Sequence, residues 1–337
     1  MACYKPLIRF YVPNDKEKSG RVYSLARFSE IVGHKATYEE LIYRKDVMMI
    51  PCGKCIGCRI QQREDWTTRI ELEAKNYPKN QVWFLTLTYN QEQIPGIMTK
   101  TGEIIRGAQY IQRTAERGLE CVQTLWYEDV QLFLKRLRKA YSGPLRYFAA
   151  GEYGEQTGRP HYHMILFGYE PMQRRSLYRT RDNGYIVDET LEKIWGLGQT
   201  QMAQATVETY RYVAGYVTKK YGEETKSYKK LGMLPPFCTM SRKPGLGDKY
   251  FQEHREEIWE KGYIQLTSGK RATIPRYYEN MLKAENAQKL WEIKRERQRK
   301  AIEQTRNEMG STKIPIKEYL KRKEQRIKKH SKARGKL

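Results

Sequence analysis

Residues 82–89, Val-Trp-Phe-Leu-Thr-Leu-Thr-Tyr, are β-branched and aromatic, and they alternate. Leu85 and Leu87 fall on one face of an extended segment and Thr86 and Thr88 on the other, which predicts a central strand. Farther on, Val130, Phe133, Leu134 and Leu137 recur at i, i+3, i+4 and i+7, the period of a helix. Its other face carries Lys135, Arg136, Arg138 and Lys139, and Ser142-Gly143-Pro144 stops it. A strand is predicted over 145–152, a glycine-rich turn over 154–158, and then a strand holding His161 and His163. Asp188 is placed to cap a short helix through Leu191 to Trp195, Gly196 and Gly198 break it, and 199–205 reads as a further strand. A helix is predicted over 207–221. The order β, α, β, β, α, β, α predicts an α+β fold, with a central antiparallel sheet and helices packed mainly on one side.

Around this middle region, 79–222, the pattern changes. Residues 1–78 read as a basic leader with a cysteine cluster and a helix over 61–75, and 90–125 as a polar insertion with a hairpin around Thr101-Gly102. Residues 223–337 read as an accessory region. It contains a linker with Pro235-Pro236 and Lys243-Pro244-Gly245-Leu246-Gly247, a helix over 252–261, a hairpin around Ser268-Gly269, and one long charged helix over 276–309. From Lys317 to Leu337 there are ten Lys or Arg against two Glu, which predicts a solvated basic helical arm able to neutralise phosphates.

Composition sharpens the choice of partner. Lys and Arg number 63 against 39 Asp and Glu, a formal net charge of +24, which points to a polyanion and most directly to nucleic acid. The 26 tyrosines against 8 phenylalanines suit bases and phosphates together. No run approaches the roughly 20 apolar residues of a membrane span, and the N-terminus lacks a secretory apolar stretch, so a cytosolic protein with six reduced cysteines is expected, without a membrane partner.

Four groups of residues can carry chemistry. His161 and His163 on one strand face can ligate a divalent metal, but two imidazoles are too few and a carboxylate is wanted. Pairing across 154–158 brings Glu152 or Glu155 beside them, and Glu152 is favoured because a strand end is more rigid than a loop. Such a site suits Mg2+ or Mn2+ gripping a phosphodiester oxygen, although zinc has the higher intrinsic affinity. Tyr212, Tyr216 and Lys219 fall at i, i+4 and i+7 of the predicted helix, so two phenols and an ammonium share a stripe, with Tyr210, Val213 and Val217 opposite to anchor it. With an unperturbed pKa of about 10, tyrosine needs a polarised phosphate or a cation to act as a nucleophile, and Lys219 is better aligned for that than Lys220. Gly215 costs about 1 kcal/mol relative to alanine inside a helix, a cost more readily understood where a backbone or a DNA strand comes close. The bland alternatives are histidines that merely pack and an aromatic ridge in the core.

Cys52, Cys55 and Cys58 form a C-x2-C-x2-C array, a candidate structural zinc site one ligand short of closure. Cys3, His34 or another chain could supply the fourth ligand; an iron–sulfur cluster and plain reduced cysteines in a turn are the other readings.

Taken together, these residues resemble the HUH endonucleases, and within them the replication initiators of gokushovirus-type microviruses. Phe84-Leu85-Thr86-Leu87-Thr88-Tyr89 resembles the first motif, Gly158-Arg159-Pro160-His161-Tyr162-His163 the second, and 212–219 the third, in the family's order. Pro51-Cys52-Gly53-Lys54-Cys55-Ile56-Gly57-Cys58-Arg59 and Ser241-Arg242-Lys243-Pro244-Gly245-Leu246-Gly247 also look like the gokushovirus form. Tyr162 stands where many relatives carry an aliphatic residue. The resemblance implies an RRM-like core and nicking and joining of single-stranded DNA at a viral origin through a 5′-phosphotyrosine. It implies, further, two alternating tyrosines, replicative-form DNA, a host polymerase and helicase as partners, and the host bacterial cytoplasm as location. A non-catalytic nucleic-acid-binding protein is the rival from another class, and a transposase or relaxase the rivals within the enzyme class.

Overall fold

A computed structural model of the chain describes residues 3–10, 21–116, 118, 120–171, 179–180, 185–221, 223–311 and 314–333. It divides into two units, Met1–Gln62 with Lys261–Ile264 and Thr273–Leu337, and Arg63–Glu260 with Gln265–Ala272.

The second unit is built on a seven-stranded sheet in which every pairing is antiparallel. Its four central strands, in spatial order, are Thr200–Gln204, Val82–Thr88, Pro160–Phe167 and Arg146–Tyr153, with Phe237–Met240 beyond the last. Alternation sorts the side chains as expected. Leu85, Leu87, Tyr162, Met164 and Leu166 pack with Val130, Phe133, Leu134 and Leu137 of the helix Tyr127–Ala140 and with Leu191 and Trp195 of the helix Glu189–Trp195. Asp188 caps the latter helix by accepting from the Thr190 and Leu191 amides.

The expectation of helices mainly on one side holds only for those two connecting helices. On the opposite face, Phe84, Phe148, Ile165 and Phe167 are covered by Ile70 of the helix Ile56–Ala74 and by Tyr210, Val213 and Ala214 of the helix Val207–Gly215. The reason is visible in the strands: residues 164–167, Met-Ile-Leu-Phe, are apolar without alternation and wholly buried, so both faces need a cover.

Two local devices fix this arrangement. Gly198, with φ 156°, passes so close to the first central strand that a Cβ there would collide with the Thr88 carbonyl oxygen, which lets Thr200–Gln204 pair alongside. The loop 241–247 is pinned through its backbone: Arg69 donates to the Leu246 carbonyl (3.0 Å), Arg146 to that of Pro244 (2.8 Å), and Glu73 accepts from the Gly247 amide (2.7 Å) while pairing with Arg146 (2.6 Å). The loop is a packed joint rather than a phosphate cradle. Residues 90–125 hold the predicted hairpin, Pro95–Met98 with Ile104–Arg106, and in addition a third strand, Cys121–Gln123, and the helix Ala108–Glu116.

In the first unit, Leu7–Phe10 pairs antiparallel with Val47–Ile50, and Ile8, Phe28, Tyr38, Leu41 and Met49 share a core with Ile302, Ile316 and Leu320. The basic arm is therefore not a solvated one over its described length. Ile316, Leu320 and Glu324 of the helix Ile316–Ala333 are buried at i, i+4 and i+8, and Glu324 meets Lys5 at 3.6 Å; residues 334–337 lie outside the described residues. The long helix predicted over 276–309 is two helices, Arg276–Glu285 and Ala287–Met309, because Asn286 turns extended and caps the second by accepting from the Lys289 amide (2.9 Å). The helices predicted over 61–75 and 252–261 begin earlier, as Ile56–Ala74 and Asp248–Lys261, and the hairpin around Ser268-Gly269 pairs Ile264–Gln265 with Arg271–Ala272.

Candidate active site

Strand register alone assembles the first half of the site. Glu152 is the Cα partner of His161, and Thr86 and Ala150 flank His163 on either side. All three candidate ligands therefore project from the same sheet face. The Nε2 atoms of His161 and His163 each lie 3.1 Å from Glu152 Oε1, and one ligand atom from each of the three residues fits within 4.8 Å of the others. Glu152 and His163 are buried, whereas Glu155 sits exposed in the connecting turn.

The donors behind the rings define what this group can hold. His161 Nδ1 lies 3.1 Å from the Arg159 carbonyl oxygen, which can only accept, so Nδ1 carries the proton. In a neutral ring, Nε2 then presents a lone pair toward a carboxylate that also only accepts. A cation seated among the two Nε2 atoms and Oε1 resolves that conflict, so the donor set fits a divalent metal. Thr86 Oγ1, 3.1 Å from His163 Nδ1, orients the second ring, and Phe84 stacks on it with centroids 5.5 Å apart. Thr86 and Phe84 were legible only as strand residues; their position opposite 163 and 165 is what gives them a role.

The second half arrives on the helix Val207–Gly215. Thr206 caps it in a reciprocal box with Thr209, and Tyr210, Val213 and Ala214 bury its inner face while Val217 packs against the same core. After Gly215 the chain tightens into a 3-10 turn, Tyr216–Tyr221, where an uninterrupted helix was expected. A Cβ on Gly215 would meet only the Arg63 side chain, at 3.9 Å, so no close backbone of this chain accounts for the glycine. The Lys219 and Lys220 side chains lie outside the described residues.

The two tyrosines reach the same group by different routes. Tyr212 OH lies 3.2 Å from His163 Nε2, and Tyr216 OH donates to Glu152 Oε1 at 2.5 Å. Their rings stand edge to face, 5.3 Å apart, and Tyr216 stacks near-parallel on His163. Exposure separates them: Tyr212 is 48% exposed and Tyr216 6%. Burial raises the pKa of both phenols, and for Tyr216 the hydrogen bond to the Glu152 carboxylate adds to it. Neither ionises near neutrality without a cation close by.

On the other face of the histidine strand, Tyr162 is fully buried. Its hydroxyl accepts from the Trp126 amide (2.9 Å) and lies 2.8 Å from Tyr89 OH, which donates to Asp129 (2.5 Å), itself paired with Arg106 (2.7 Å). A hydroxyl at this position therefore has partners that an aliphatic side chain would leave unmet.

In the first unit, the structure brings Cys3 to Cys52, Cys55 and Cys58, with one sulfur from each inside 4.8 Å. His34 is not among them; its ring lies against Glu40 (2.9 Å) and the Val32 carbonyl (3.2 Å). All six cysteines are free, and no described helix is long and apolar enough to cross a membrane.

Comparison with known proteins points the same way as the motifs. The family of the replication-associated protein ORF2 matches residues 82–221, the span from the first central strand through both tyrosines. Replication-associated protein ORF2 of Spiroplasma virus 4 is 31% identical over 299 residues, covering 85% of this chain and 81% of that protein. Replication-associated protein VP4 of Bdellovibrio phage phiMH2K is 28% identical, covering 72% of this chain and 70% of its own, and replication-associated protein ORF4 of Chlamydia phage 1 is 27% identical, covering 69% and 53%. No solved structure matches the chain. The resemblance to microvirus replication initiators is thus borne out, and the chain belongs to the family of phage replication-associated proteins.

Proposed function

We propose that this chain initiates rolling-circle replication of a small circular single-stranded DNA genome, nicking and rejoining one strand at the viral origin as an HUH-type endonuclease with two tyrosines. The observation that carries the reading is the convergence of Tyr212 and Tyr216 on one histidine–histidine–glutamate group, 3.2 Å from His163 and 2.5 Å from Glu152. The β-α-β-β-α-β order of the central strands and their two connecting helices supports an RRM-like core, and relatives named replication-associated proteins support the role.

Each residue then has a task. His161, His163 and Glu152 would hold a divalent cation, Mg2+ or Mn2+ by availability, which when bound supplies positive charge to a phosphodiester oxygen. Tyr212, the exposed phenol, is the first nucleophile. Its oxygen bonds to phosphorus as the bond to the 3′-oxygen breaks, and the proton the phenol gives up is matched by the one the leaving 3′-oxygen takes, leaving a 5′-phosphotyrosine and a free 3′-hydroxyl. Host polymerase and helicase carry synthesis round the circle. Tyr216, restrained by Glu152 through the first cut, takes the second, and the freed 3′-hydroxyl attacks the Tyr212 linkage to close the displaced strand. Transesterification conserves the phosphodiester energy, so no nucleotide cofactor is needed. Lys219 adds positive charge beside the phenols, and the net charge of +24 suits both single-stranded and replicative-form DNA.

The test is to incubate the protein with labelled circular single-stranded DNA carrying the origin and manganese, then map the attached peptide and the cut. A covalent adduct on the peptide containing Tyr212 is expected, together with retained binding but no adduct for the Tyr212→Phe/Tyr216→Phe double variant. Adduct formation by that double variant, or binding with no metal-dependent cleavage by the unaltered protein, would sink the reading.

A further inference from the structure

We infer that Cys3, Cys52, Cys55 and Cys58 form a closed tetrathiolate site for a single zinc ion, which fastens the N-terminal strand of the first unit to the start of the helix Ile56–Ala74.

The spacing of the sulfurs is that of one four-coordinate ion. With Zn–S bonds of about 2.3 Å, a tetrahedron sets its sulfurs about 3.8 Å apart. Here Cys55 and Cys58 stand 3.5 Å apart, Cys3 and Cys55 3.8 Å, and Cys52 and Cys58 3.9 Å. A disulfide would draw two sulfurs to about 2.05 Å and strand the other two. An iron–sulfur cluster sets its thiolates on different irons and so spreads them around the cluster, whereas these four close on one point.

Backbone amides also face the sulfurs. Cys52 N–H donates to Cys3 Sγ (3.3 Å), Tyr4 N–H to Cys55 Sγ (3.4 Å), and Cys55 N–H to Cys52 Sγ (3.4 Å). Donors of this kind disperse charge on thiolates that a metal binds. Cys3, Cys55 and Cys58 are buried, leaving no open coordination position of the sort a catalytic zinc keeps.

The topology says what the ion does. Leu7 is the register partner of Ile50 at one end of the antiparallel ladder. Cys3 lies just before that end and Cys52 just after it, so the ion clamps the ladder where it would otherwise fray. It closes a loop 49 residues apart in sequence, and its binding free energy becomes folding free energy for this unit as four thiol protons leave to solvent.

The full-length chain, purified under reducing conditions, should carry about one zinc per molecule through dialysis, and should do so equally in a His161→Ala/His163→Ala background that removes the other ligand group. Replacing that zinc with cobalt should give the visible and near-ultraviolet bands of tetrahedral cobalt with sulfur ligands, a readout that needs no cysteine substitution. Stripping the metal with a strong chelator should expose four additional fast-reacting thiols. Cys3→Ser should lose most of the zinc, while Cys121→Ser and Cys238→Ser keep it. Zinc that disappears with the two histidines, cobalt bound without thiolate bands, a thiol count unchanged on stripping, or full zinc retention by Cys3→Ser would each overturn the site, and iron in place of zinc would overturn the choice of metal.

Discussion

The two groups of metal-ligating side chains are built by opposite means. Glu152, His161 and His163 come from adjacent strands joined by a short turn, so strand register alone brings them together. Cys3 meets Cys52, Cys55 and Cys58 only after a ladder has formed between segments some 49 residues apart. The first group mixes nitrogen and oxygen, and a half-exposed phenol stands at its edge. The second is sulfur only and closed. Mixed ligands with an accessible edge suit reaction, and four converging sulfurs suit structure.

The largest effect expected from this contrast lies at the edge of the first group. On a short origin oligonucleotide, Tyr212→Phe should lower the rate of adduct formation on the order of 10³-fold or more, since it removes the nucleophile itself. Tyr216→Phe, which removes the buried phenol, should leave the first cut within roughly tenfold but abolish strand joining, because no second nucleophile remains. Reversal of the two phenotypes would assign the first attack to the buried phenol and break the link between exposure and order of use.

Next in size is Glu152→Gln. The carboxylate oxygen gathers both imidazoles and the Tyr216 hydroxyl, and an amide keeps the shape while losing the charge. Nicking should fall on the order of 10²-fold, with partial recovery at high manganese concentration, while the zinc content of the full-length chain stays unchanged. A drop in zinc content would show that the two groups do not act separately.

This contrast also explains what could be read in the sequence. Histidines two apart on a strand and tyrosines four apart on a helix declare a shared face through local period. Cys3 gives no such signal, because its meeting with Cys52 follows from the pairing of Leu7 with Ile50. The packing of the C-terminal helix was obscured for a related reason. Ile316, Leu320 and Glu324 do keep a helical stripe, but ten basic residues dilute it, and its partner core comes from the other end of the chain. The cover on the second sheet face was hidden as well, since unbroken apolar runs such as 164–167 say that a strand is buried twice without saying by what.

The smallest effect should come from the residue between the two histidines, which belongs to the opposite face of the sheet. Tyr162→Phe leaves the ring in the core and removes a hydroxyl that satisfies the Trp126 amide and the neighbour of the buried Tyr89–Asp129–Arg106 network. A buried donor left without its partner costs about 1–3 kcal/mol. Thermal denaturation should therefore shift down by roughly 2–4 °C per kcal/mol lost. The nicking rate, by contrast, should stay within about twofold, because the strand's alternation keeps the Tyr162 side chain on the face away from His161 and His163. A loss of nicking much larger than the loss of stability would mean that the network beneath the sheet sets the geometry of the imidazoles above it, and that the two faces of this strand are not independent.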